Sequence, residues 1–223
     1  MKAVTVLPFE PRRLWPHWTP PDGATRQHVV DALSGCGAPA ALPGPAWQLR
    51  VWYPGFLPRY LCVRAQVAQG DPWRFHALVS RSPGGRVFVR PSWQHLCRHR
   101  SALAPWITVG SAVSWLSFAL AAASPDEDSI RVVAAGESPE LPAGIAPSRA
   151  RALAGRAGPP EVLRHGRDGV VLWASVTSGS GLTVGAFHIR PDGEVRGGAG
   201  EFLPWFSDDM PLESIVRRSF RTT

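Results

Sequence analysis

From Trp47 onward, apolar and polar positions alternate with a period of two, as half-buried strands require. Residues 47–53, 60–68, 73–81 and 86–90 form four such runs, broken by Pro54-Gly55, by Gln69-Gly70-Asp71-Pro72 and by Ser82-Pro83-Gly84-Gly85. These turn formers favour short connections, so the pattern predicts an antiparallel meander. Ahead of it the period changes. Val29, Val30 and Leu33 fall at helical spacing, with Thr25 placed as N-cap and Gly35 as a stop. Behind it, residues 94–103 and 109–123 read as helices.

After Ser124 the pattern restarts. Residues 130–134 suit a strand, 137–147 a loop, and 147–155 a helix opened by Pro147 with Ser148 as cap. Strands follow at 169–176, at 182–190 and from 194 onward, turned by Ser178-Gly179-Ser180-Gly181 and by Pro191-Asp192-Gly193. A terminal helix fits 212–220, with Asp208 and Asp209 before it and Arg217 and Arg218 near its end, as the helix dipole favours. The two halves are alike in detail: Arg81-Ser82-Pro83-Gly84-Gly85-Arg86-Val87 resembles Arg190-Pro191-Asp192-Gly193-Glu194-Val195 in its turn, and each meander ends in Pro with Trp close behind. An internal duplication accounts for this.

The fold class expected is therefore α+β: two similar helix-plus-antiparallel-β-meander units joined by a buried apolar helix. The divisions are a Pro/Trp-rich N-terminal arm (1–23), a first unit with the following apolar helix (24–124) and a second unit (125–223). Seven Pro and Trp residues between Pro8 and Pro21 make the arm extended, since proline removes helix and central-strand options. Residues 103–123 carry no charge over a bilayer's length. Pro105, Gly110 and several hydroxyls interrupt them, and much of the rest is Ala, which favours a buried helix over a membrane span.

Composition adds bounds. The chain has 223 residues, 44% of them hydrophobic, with 10 Trp and 9 Phe, which excludes a disordered chain. Its 24 Lys and Arg against 17 Asp and Glu give a net charge of +7, and every basic residue except Lys2 is Arg. With abundant Ala, Gly and Pro this skew fits a GC-rich genome, and the arginines form no run of the kind that makes a nucleic-acid tail. Three widely spaced cysteines, Cys36, Cys62 and Cys97, argue against a disulfide framework. The early prolines and Arg12-Arg13 do not suit a secretory signal, so the expected location is cytoplasmic.

Motifs for chemistry are sparse. His95, Cys97 and His99 have the most metal-like spacing, but Arg98 and Arg100 interleave and no further ligand is near, so a solvated basic helix face is the reading adopted. His76 and His188 lie on strands, where hydrogen-bonded sheet positions are the common role. Ser180 lacks the Gly-x-Ser-x-Gly elbow, and Asp126-Glu127-Asp128 and Asp208-Asp209 read as loop or helix-start charges. No catalytic residue, metal or cofactor is assigned. On the first meander, basic and aromatic residues interleave, and Trp52, Arg64, Trp73, Arg74, Arg86, Phe88 and Arg90 are the candidate binding residues. The expectation is a non-catalytic bacterial protein-binding module, of accessory, chaperone-like or immunity type, acting through a sheet face or the arm. The alternative is a nucleic-acid-binding protein that stacks bases on the aromatic residues and holds phosphates with the arginines. A protein partner is favoured over nucleic acid, a membrane is disfavoured, and self-association is left open.

Overall fold

The computed structural model describes residues 18–36, 48–66, 75–89, 93–123, 130–133, 138–139 and 141–205. The chain divides into two compact units, one spanning Pro16–Trp106 and the other beginning at Ile107. Most of the N-terminal arm and the terminal helix expected at 212–220 lie outside the described residues, as do Trp73, Arg74 and Arg90.

The first unit opens with helix α1 (Gly23–Gly35) and continues into a sheet of four antiparallel strands in sequence order: β1 (Gln48–Trp52), β2 (Tyr60–Gln66), β3 (Phe75–Ser80) and β4 (Val87–Val89). The helix cap lies three residues earlier than the sequence suggested, at Asp22 instead of Thr25. The Asp22 carboxylate accepts the Thr25 N–H at 2.7 Å, and this bond holds the carboxyl below its usual pKa. The period of two then sorts the strands. Leu49, Val51, Leu61, Val63, Ala65, Ala77 and Val79 share one face and form a core with Val29 and Leu33 of α1.

The β3–β4 turn is type II: Gly85 N–H donates to Ser82 O at 3.1 Å, Pro83 occupies the second position, and Gly84, at φ +68°, the third. The opposite sheet face carries Tyr60, Cys62, Leu78 and Phe88, all buried. The single helix expected at 94–103 is broken into α2 (Trp93–Arg98) and α3 (Arg100–Leu103), which ends at Ala104 with φ 43°. This segment lies over that face: His99 stacks 5.4 Å from Phe88, and the Tyr60 hydroxyl donates to Ala102 O at 3.4 Å.

In the second unit, helix α4 (Val109–Ala123) has the predicted bounds. It packs within this unit rather than serving only as a link, with Trp115 Nε1 donating to Gly193 O at 2.8 Å and Val113, Trp115, Leu116 and Ala119 buried. No helix among the described residues is long and apolar enough to cross a membrane. Strand β5 (Arg131–Val132) and helix α5 (Pro147–Arg156) follow. Ala146 stands at the α5 cap position without a side-chain bond, where Ser148 was expected.

The sheet of this unit runs β5-β7-β8-β9, with β6 (Glu161–Gly166), β7 (Gly169–Thr177), β8 (Gly181–Ile189) and β9 (Val195–Pro204) antiparallel. Strand β6 also lies on β7, beyond β5 along the same edge, and is the one strand the sequence pattern did not reveal. Leu153 of α5 packs with Leu182, Val184, Val133 and Trp205. Each unit thus runs a helix and then a four-stranded meander, α1 before β1–β4 and α5 before β6–β9, with β5 added in the second.

Candidate binding surface

Cross-strand register decides which of the expected binding residues meet. On the face of the first sheet away from α1, Trp52 pairs with Cys62, and Arg50 with Arg64, which in turn pairs with His76. Two guanidinium groups directly opposite repel. Arg64 is stacked over the Trp18 ring at 4.5 Å, and Trp18 lies 6.1 Å from Trp52, whose other neighbour is Phe56 at 5.5 Å. Thr19 fastens the Trp18 segment by exchanging backbone bonds with Val51 at 2.9 and 2.8 Å. Arg64 and Trp52 are therefore brought together. Phe88 is not with them: it is 3% exposed, packed between Tyr60 and His99. Arg86 is exposed at the far end of the sheet.

That far end gathers a second group, of which the sequence reading singled out only Arg86. Arg81 N–H donates to Arg59 O at 2.9 Å and Ser80 N–H to Arg86 O at 3.1 Å, so the ladder continues past the strands, sets Arg59 opposite Arg81 and brings Arg86, one position further along, to the same end of the sheet. Arg81 is held most firmly. Its guanidinium lies 5.5 Å from the Tyr53 ring centroid and donates to Pro58 O at 3.1 Å. Tyr53 is anchored in turn, its hydroxyl 3.3 Å from Thr25 Oγ1 of α1, and His28 Nε2 lies 2.7 Å from Ser80 O. The available signal was the turn itself: a four-residue hairpin turn flanked by Arg81 and Arg86 must place both at one end of the sheet.

Charge is divided as unevenly as the aromatics. Read along the chain the arginines look scattered, yet Pro16–Trp106 contains ten Arg and three Asp, the whole net charge of +7, leaving 14 basic and 14 acidic residues elsewhere. The two described acids of this unit both belong to α1: Asp22 is its cap, and Asp31 accepts from Gln27 at 2.8 Å. Among the described residues, Arg59, Arg81 and Arg86 meet no carboxylate. Their field reaches inward. Burial raises the pKa of Tyr60, and Arg86 and Arg59 oppose that rise.

The residues weighed for chemistry are dispersed. The α2–α3 break at His99 interrupts the helical spacing of His95 and His99, and among the described residues no three His, Cys, Asp or Glu side chains gather as metal ligands. His188 Nε2 lies 2.9 Å from Asp168 O, and Ser180 Oγ 3.1 Å from Ser178 Oγ within a turn. Cys36 is exposed and Cys62 buried. No protein-family model matches the chain, and comparison with curated proteins and with solved structures finds no match.

Proposed function

We propose that this protein is a non-catalytic binding module whose first unit grips a carboxylate-rich segment of a partner protein with Arg59, Arg81 and Arg86. The observation that carries the reading is the gathering of these arginines at one end of the sheet, meeting no carboxylate among the described residues, on the unit that holds the entire net charge. A guanidinium fork matches a carboxylate in two parallel hydrogen bonds, and Arg81, already oriented by Tyr53 and Pro58, loses little freedom on binding.

Protein is preferred over nucleic acid because, of the candidate aromatics among the described residues, Phe88 lies within the core and Trp52 lies between Trp18 and Phe56, so neither offers a free face to a base. The Arg50–Arg64 pair keeps nucleic acid as the second reading, through phosphate contacts alone.

Fluorescence anisotropy with a labelled Asp/Glu-rich peptide and a labelled single-stranded oligonucleotide of equal charge tests the proposal. The peptide is expected to bind the full chain more tightly than the oligonucleotide. Replacing Arg59, Arg81 and Arg86 together with Gln should weaken peptide binding by about tenfold or more, given about 0.5 kcal/mol or more for each exposed charge contact. Tighter oligonucleotide binding, or an unchanged triple variant, would overturn it.

A further inference from the structure

The outer edge of β6 has no partner strand among the described residues, whereas its inner edge is paired to β7. An open edge presents unpaired backbone N–H and C=O groups and is a template for another strand. Beside it lie two large exposed apolar side chains, Leu163 at 47% and Trp173 at 38%, the latter directly opposite Glu161. Glu161 and Arg164 are themselves exposed and form no ion pair among the described residues.

We infer that two copies of this chain associate by antiparallel pairing of β6 with β6, forming one continuous sheet across a two-fold axis. The run Glu161-Val162-Leu163-Arg164 is self-complementary under that symmetry. With Val162 and Leu163 at the axis, Glu161 of each copy faces Arg164 of the other, giving two ion pairs. Residues three apart on a regular strand point to opposite faces and could not pair in this way.

The register shift between Val162 and Arg164 removes the obstacle. Glu161 lies opposite Trp173 and Arg164 opposite Val171, two positions on the same face of β7, so the bulge brings both charges to one side of the sheet. Bulges and edge charges commonly guard an edge against pairing, but here the bulge makes the edge complementary to itself. The apolar contribution comes from Leu163 and Trp173, doubled across the axis. A strand of six residues gives a contact at the small end of the range for specific interfaces, so the dimer is weak, with dissociation in the micromolar range.

Sedimentation velocity of the full chain from roughly 5 to 500 µM reads the association. The wild-type chain is expected to move from monomer to dimer mass. Glu161→Arg sets Arg against Arg164, and Arg164→Glu sets Glu against Glu161, so each variant alone should lose about tenfold or more in association. An equimolar mixture of the two variants places opposite charges at both ends and should recover the dimer. Leu163→Ser, which keeps the charges, should also weaken it, and thermal melting verifies that each variant is folded. A wild-type chain that stays monomeric at the highest concentration would overturn the inference. So would a dimer that neither charge reversal weakens, or a mixture that remains monomeric.

Discussion

Tyr60 shows how the arginine group acts on a single residue. Its ring is buried beside Phe88 while its hydroxyl lies under the influence of Arg59 and Arg86, so burial and charge pull its ionisation in opposite directions, with burial the stronger. Its folded pKa therefore exceeds the ordinary value of 10.0. The sign of the linked stability follows: the contribution is complete below the unfolded pKa and is lost as pH rises through the folded one, because the unfolded chain releases its proton first. The chain has two tyrosines, so ultraviolet titration in a Tyr53→Phe background follows Tyr60 alone. Arg86→Gln and Arg59→Gln should each move its ionisation still higher, and Tyr60→Phe should flatten the alkaline loss of stability. Ionisation at or below the ordinary value in the folded chain would show that the side chain is solvated, contrary to its packing.

Among the elements, the turns fix which residues meet. Gly169, entering β7, has φ +116°, and a Cβ there would collide with the carbonyl of Ile189 on β8. Gly169→Ala should destabilise the second unit by about 2 kcal/mol or more, since strained backbone and a backbone collision combine. Gly166→Ala, facing open space at the same β6–β7 hairpin, should stay within about 0.5 kcal/mol of wild type in chemical denaturation. Equal effects would mean that the close approach to β8 can relax.

The hairpins around these turns were legible because Leu49 and Val51 in β1 and Leu61 and Val63 in β2 recur with a period of two, β7 is a continuous run of β-forming apolar residues, and Pro or Gly punctuates the ends. Strand β6 was not, for a physical reason. Its bulge at Leu163 breaks the period of two, and as an edge strand with nearly every side chain in water it needs no apolar face. The cap of α1 was misplaced because Asp22 and Thr25 both suit the role, and the choice rests on the 2.7 Å bond that Asp22 accepts.

At the scale of the whole molecule, the distribution of charge matters more than its total. Sequence order hides this distribution, because Arg59 is separated along the chain from Arg81 and Arg86 and reaches their end of the sheet only through strand register. It hides as well the fate of Phe88, which alternation assigned to the same face as Arg86 and which the α2–α3 segment then covers. A basic unit joined to one of balanced charge should attract acidic partners from a distance and lose that attraction as salt rises.

The most direct measurement is amide chemical-shift mapping of the isotope-labelled full chain during titration with an Asp/Glu-rich peptide. The account predicts that the largest changes cluster at Tyr53, Arg59, Arg81 and Arg86, with saturation that fades at high salt. Changes centred on Trp18, Arg50 and Arg64, or spread evenly over both units, would contradict it.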